Sequence, residues 1–186
     1  NAMGNCWFVN EAKWVNGPVE EMKAISLPDE DKIVSNEIFN PKQEAVIDKV
    51  FKSAITEFSP ADSTDVIKMT QFDNDAIKYE SNTRGNRLAV FSEIYYKDWN
   101  AYIDGKKTPI AKANYVLRAM VIPSGQHKIE FKFEPKSFYI GRTVSAFASW
   151  LAFLMALGGI IYYLLDNLQI VKPWRVSYPK TEKKDP

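Results

Sequence analysis

Alternation of apolar and polar positions dominates the middle of the chain. In HKIEFKFE (127–134), Ile129, Phe131 and Phe133 fall on one face while Lys128, Glu130, Lys132 and Glu134 fall on the other, the period of two of a half-buried strand. NYVLRAMVI (114–122) is apolar on both faces apart from Arg118, as a central strand should be. Asp104-Gly105, between Tyr102-Ile103 and Thr108-Ile110, predicts a tight hairpin whose type I′ turn needs positive φ at both central positions. Val66–Met69 and Ala76–Tyr79 flank the turn signal Asp73-Asn74-Asp75, and RLAVFSEIYY (87–96) follows Gly85-Asn86.

Nearer the start, WFVNEAKWV (7–15) predicts one strand, broken by Gly17-Pro18. Pro18 suits the first position of a short helix with Glu20 and Glu21 in its first turn. That helix would put Val19, Met22 and Ile25 on one face and end at Leu27-Pro28. Residues 41–58 support either a helix or a strand, and Ser59–Asp62 reads as a loop. Strands recurring about every 8–12 residues predict an antiparallel β-sandwich, jelly-roll or Ig-like.

The pattern then changes. Val144 to Leu165 is a run without a charged residue, bounded by Arg142 and Asp166. A helix over it would be ~33 Å long, enough for a ~30 Å hydrocarbon core. A buried core helix rarely stays apolar on every side for that length. Trp150, Tyr162 and Tyr163 within the run, and Trp174 and Tyr178 beyond it, fit the aromatic belts of a membrane interface. Gly158-Gly159 would let a second helix approach closely. The expected organisation is a β domain over 1–138, a transmembrane helix over 143–166 and a charged cytoplasmic tail over 167–186. Lys172, Arg175, Lys180, Lys183 and Lys184 favour the cytoplasm for the tail, but Lys128, Lys132, Lys136 and Arg142 on the other flank weaken the contrast.

Charge and chemistry narrow the function classes. Lys+Arg number 24 against 23 Asp+Glu, so the clustered basic excess of a nucleic-acid binder is missing and no nucleic-acid partner is expected. Cys6 is the single cysteine and His127 the single histidine, which excludes an internal disulfide and a thiolate or histidine-rich metal site. No phosphate-binding loop, dinucleotide fingerprint or zinc-protease motif occurs. No cofactor, metal or catalytic residue is expected. Asp29-Glu30-Asp31 reads as a solvated loop, short of the ligands calcium requires.

The amino terminus, Asn1-Ala2-Met3-Gly4, carries no secretory leader pattern. Either the β domain is cytosolic and tail-anchored, or upstream membrane segments export it. A resemblance favours the second. VFSEIYYKDWNAYIDGKKTPIAKANYVLRAMVIPSGQHKIEFKFEP resembles YfhO-type bacterial membrane proteins in Ser92-Glu93, Tyr95-Tyr96, Trp99 before Asp104-Gly105, Asn114-Tyr115, Arg118-Ala119 and Pro123-x-Gly125-x-His127. GNCWFV at 4–9 and the exit from Phe138 to Gly141 resemble the same family. The resemblance implies the C-terminal extracytoplasmic domain and last membrane helix of a polytopic protein in the bacterial cytoplasmic (inner) membrane. Such a protein is similar to GT-C glycosyltransferases, which move sugar from a polyprenyl-phosphate donor, here to an envelope glycopolymer. The implied partners are the bilayer, the upstream transmembrane part and a glycan or polyprenyl-linked sugar; catalysis would belong to the upstream part.

Glu93, Tyr95, Tyr96, Trp99, Asn114 and Arg118 combine aromatic faces with polar groups and are the candidate glycan-binding residues. The structural alternative makes Trp99 and Tyr102 core aromatics and Glu93–Arg118 a cross-strand ion pair. His127 at a strand start reads as a packed or capping side chain. The function classes left open are an accessory domain for glycosyl transfer, a non-catalytic envelope binding or assembly module, and a cytosolic tail-anchored protein.

Overall fold

The computed structural model describes residues 3–26 and 39–168. The expectations for Leu27-Pro28, Asp29-Glu30-Asp31, Trp174, Tyr178 and the tail lysines and arginine lie outside those residues. The chain divides into two units, one ending at Pro135 and one starting at Lys136.

The first unit consists of two β-sheets, mainly antiparallel. Its strands are β1 (Cys6–Val9), β2 (Glu11–Val15), β3 (Glu44–Asp48), β4 (Val66–Phe72), β5 (Ala76–Thr83), β6 (Arg87–Ile94), β7 (Trp99–Ile103), β8 (Lys106–Thr108), β9 (Ala111–Ala113), β10 (Leu117–Ile122) and β11 (Gly125–Phe133). The first sheet runs β1-β6-β10-β9-β3-β2 and the second β4-β5-β11-β7-β8. Among the described residues only the β2–β3 pair is parallel. A short helix, α1 (Gly17–Ile25), follows β2, and a 3-10 helix, Lys49–Ala54, follows β3. Residues 41–58 therefore hold a strand and then a helix, which is why their pattern fits both.

The stretch 7–15 is two strands, not one. They lie on opposite edges of the first sheet although Asn10 alone separates them, so the sheet curls until its edges meet at that residue. Asn10 fixes the joint: its N–H donates to the Gln43 carbonyl at 2.7 Å and its side-chain oxygen accepts from Ala61 N–H at 3.0 Å.

Curling gives β6 and β10 an unusual role. Leu88, Val90, Ala119 and Val121 enter one core, with Val9, Ala45 and Ile47. Ala89, Phe91, Met120 and Ile122, on the opposite faces of the same strands, enter a second core between the sheets. There Tyr79, Phe91 and Phe131 form three edge-to-face pairs with centroids 4.8–5.9 Å apart. Each such pair contributes about 0.5–1.5 kcal/mol beyond its buried area. The two-sided apolar pattern of 117–122 is thus a strand with a core on each face.

Two turns require left-handed backbone. Asp104 and Gly105 have φ of 49° and 80°, the two positive values expected of the hairpin. Asn114 and Tyr115 also have positive φ, 49° and 72°, so the predicted strand over 114–122 begins only at Leu117. Asn114 holds its turn by accepting from Val46 N–H through Oδ1 and donating its own N–H to the Val46 carbonyl, both at 2.8 Å.

The helix α1 forms where the Pro18 signal places it, but the opposite face is buried. Val19 and Met22 are exposed, whereas Glu21 is fully buried. Its carboxylate accepts from Tyr115 N–H at 2.8 Å and pairs with Lys112 Nζ at 2.8 Å. A buried acceptor for an otherwise unpaired turn N–H outweighs the apolar stripe as the reason for docking.

The registers sort the unit into two ends. At one end, β2 and β3 finish, β6 finishes beside the start of β10 (Ile94 opposite Leu117), and β11 finishes beside the start of β7 (Phe133 opposite Trp99). At the other end lie Asn10, the Asp104-Gly105 turn and the 59–65 loop, which Arg87 ties down through Asp65 (2.6 Å) and Ser59.

The described part of the second unit is α2 (Lys136–Asn167), a helix of 32 residues, ~48 Å long at 1.5 Å per residue. Its best window has a mean hydropathy of 2.0 and none of that window is buried by protein, so it is a candidate membrane span.

Candidate functional site

Of the six sequence-predicted site residues, three come together and three lie elsewhere. Tyr96, Trp99 and Arg118 come together with Phe133. The Arg118 guanidinium lies 4.3 Å from the Trp99 ring centroid, and the Phe133 ring is 5.5 Å from Trp99 and 6.2 Å from Tyr96. Glu93 stands near enough to favour the charged form of Arg118 but forms no ion pair with it within 4 Å. Tyr95 packs its ring edge-on against Phe51 at 5.5 Å, and Asn114 holds the β9–β10 turn.

Arg118 is therefore held differently from the expected ion pair. It is 2% exposed, its Nε donates to the Ile94 carbonyl at 2.9 Å, and its Nη1 is buried without a hydrogen-bond partner. Trp99 on one side and Phe131, at 5.3 Å, supply ring faces instead of a carboxylate. Burial lowers its pKa, and the charges of Glu93 and Tyr79 oppose that shift. Nearby, burial raises the Tyr79 phenol and pushes the Cys6 thiol up to about 11, which keeps that thiol protonated and unreactive at neutral pH.

A second feature lies on the outer face of the β4-β5-β11-β7 sheet. Lys68 faces Glu80, Glu80 faces Lys128, and Asn82 faces Gln126 across paired strands. They line a groove of about 600 Å³ that ends at Asp104 and His127. A neighbouring groove of about 550 Å³ shares Glu80, Asp104 and Lys128 and continues to Lys78 and Glu130. Further along the same sheet, Glu134 accepts from Asn100 at 2.7 Å and from the Tyr102 hydroxyl at 2.8 Å, which raises the Tyr102 pKa.

This face offers ammonium, carboxylate and carboxamide groups at strand spacing, a donor–acceptor array suited to polyhydroxylated ligands. Both nitrogens of His127 are occupied, one by the Asp104 carboxylate at 2.6 Å and the other by the Ser124 carbonyl at 3.1 Å. Among the described residues no three His, Cys, Asp or Glu side chains are grouped to hold a metal ion. Sequence reasoning missed the groove because its walls come from strands up to about sixty residues apart. The alternation in IKYESN (77–82) and GQHKIE (125–130) marks the outward positions but not their pairing.

The model of the family described as "Bacterial membrane protein YfhO" matches residues 49–145, from the 3-10 helix through the first turns of α2 and just over half of the chain. No curated protein and no solved structure matches it significantly. The matched stretch takes in the groove, the Tyr96–Trp99–Arg118 cluster and the entry into the apolar helix. The chain belongs to the YfhO family of bacterial membrane proteins.

Proposed function

We propose that the β unit is the extracytoplasmic accessory domain of a polytopic protein of the bacterial cytoplasmic (inner) membrane. In this reading it positions a glycan or polyprenyl-linked sugar while a catalytic centre in the upstream transmembrane part transfers sugar to an envelope glycopolymer. The observation that carries the reading is the polar groove on the outer sheet, whose side chains present both donors and acceptors to solvent along several strands. The Tyr96–Trp99 edge supplies an aromatic surface for a sugar ring, with Tyr96 as its exposed member.

The test uses the full-length protein in membranes, with sugar transfer from a polyprenyl-phosphate donor as the readout. Glu80→Gln with Lys128→Met, and separately Tyr96→Ala, should lower transfer while leaving the thermal midpoint unchanged, because all three side chains are at the surface. Trp99→Ala is less informative, since Trp99 also covers Arg118. Unchanged transfer in both surface variants would remove the positioning role. The side of the membrane is tested by cysteines at Lys106 and Lys180 in a Cys6→Ser background, labelled in intact cells with an impermeant reagent. Labelling at 106 alone supports the exported domain; labelling at 180 alone overturns it.

A second reading, a non-catalytic envelope binding or assembly module, is favoured by a different observation: exposed apolar residues concentrate at one end of the β unit. Retained membrane association with no transfer activity in the full-length protein would favour it.

A further inference from the structure

We infer that the end of the β unit where β6 and β11 finish is a lipid-docking surface that rests on anionic headgroups. Large apolar side chains left exposed on the described part of this unit are unevenly placed. Val19 and Met22 on α1, Val50 on the 3-10 helix, Ile94 and Tyr96 after β6, and Val116 before β10 all belong to elements that start or finish at this end. The opposite end exposes Val66 alone of this class. A folded domain carries scattered apolar side chains at its surface without consequence, but a one-ended concentration marks a contact surface.

Two further observations select lipid as the occupant. The chain leaves the unit from this same end, at Pro135, and the next residue opens a helix long and apolar enough to cross a membrane, which keeps a bilayer within reach. Interspersed with the apolar groups are the exposed ammonium groups of Lys23, Lys49, Lys52 and Lys97. Lysine stems lie along apolar surface while their heads reach phosphate, and each lysine near an anionic leaflet contributes to binding. The exposed Glu20 of α1 and the half-buried Asp48 and Asp98 lie among these lysines, which still leave the footprint basic on balance; Phe72, also exposed here, sits beside Asp73 and Asp75 in the β4–β5 turn, so that corner is repelled by an anionic leaflet. The surface thus runs over α1, the 3-10 helix and the β6–β7 connection and stops short of the β4–β5 turn. Docking at this end leaves the outer sheet face, and the groove along it, uncovered for a ligand.

The experiment places an environment-sensitive fluorophore on single cysteines at Val50, Ile94, Val66 or Asp73 in a Cys6→Ser version of the full-length protein. Each labelled protein is reconstituted in nanodiscs of phosphatidylglycerol and phosphatidylcholine, with or without bromine on the upper acyl chain. Expected are blue-shifted emission and several-fold stronger quenching by brominated lipid at 50 and 94 than at 66 and 73, with less quenching at 50 when phosphatidylglycerol is omitted. Quenching by aqueous iodide at 50 and 94 equal to that at 66 would overturn the inference. Blue-shifted emission with protection from both quenchers would overturn it equally, by assigning the surface to protein. Neither outcome depends on glycan transfer, so this inference and the proposed function fail separately.

Discussion

Asp104 and His127 meet at 2.6 Å, joining the turn between β7 and β8 to the first residues of β11. The hydrogen bond with Asp104 is the main cause that raises the His127 pKa above its ordinary 6.5; the Ser124 carbonyl at the other ring nitrogen adds to it. The hydrogen bond from His127, with the Lys128 N–H, holds the Asp104 carboxyl below its ordinary 3.8. Because the raised histidine is charged in the fold, its contribution is complete below 6.5 and is lost as pH rises through the folded value. The carboxylate contribution is present above 3.8 and is lost as pH falls through its lowered value.

Stability should therefore be highest on this account between those two ordinary values, and should fall by up to about 1 kcal/mol on moving from mildly acidic to mildly alkaline buffer. Replacing His127 with Gln should flatten that slope. Asp104→Asn should do the same without opening the turn, since Asn tolerates positive φ. Thermal midpoints across a pH series decide it; a slope that survives both substitutions would place the titrating group elsewhere.

Arg118 carries a buried charge with ring faces and one carbonyl as partners. Arg118→Met keeps a long unbranched stem under Trp99 and removes the charge, and the change in unfolding free energy in urea should stay within about 1 kcal/mol of zero. Arg118→Ala, which opens a cavity at the same place, should cost about 2–4 kcal/mol. Equal losses in the two variants would mean that the fold depends on the guanidinium itself.

Glu21 tethers α1 to the β9–β10 turn. Glu21→Ala should cost about 2–3 kcal/mol, because it leaves the Tyr115 N–H and the Lys112 ammonium without their partner. Glu21→Gln should cost less, since the amide oxygen still accepts from Tyr115. Amide exchange at Tyr115 is the direct readout, and unchanged protection in the Ala variant would disprove the tether.

The candidate span makes a depth-dependent prediction. Leu154→Arg, near the middle of the apolar run, should oppose insertion by about 2.5–3.5 kcal/mol, whereas Asn167→Arg at its end should cost little. Equal insertion of the two variant α2 segments, each carried in a host membrane protein with glycosylation reporters on either side, would argue against α2 as a membrane span.

Much of this architecture is legible locally. The Asp104-Gly105 hairpin, the two-sided strand around Met120 and the alternation of β11 follow from chemistry that neighbouring residues dictate. The failures are equally specific. Val19 and Met22 look like the buried face of α1 because the stripe is apolar, yet the decisive interaction is Glu21 with a turn ninety residues away. Asn114 and Tyr115 continue a β-rich pattern but take positive φ, because Val46 needs partners for its amide and carbonyl. The strand β9, only Ala111–Ala113, is too short to carry a pattern at all. The six candidate site residues are expected from the sequence to converge on one face, but only Tyr96, Trp99 and Arg118 come together; Tyr95 and Asn114 are diverted into structural contacts, and Arg118 meets ring faces instead of Glu93.

Strands β6 and β10 carry a core on each face, and this bears on how the domain comes apart. Neither core can melt while the other persists, because each loses a wall when those two strands separate. The β unit should behave as a single cooperative foldon, with the amides of Ala89, Val90, Ala119 and Met120 exchanging only through global opening. A lesion in either core then weakens both, so damage near the aromatic triad reaches the helix-capped side of the domain without a pathway of its own.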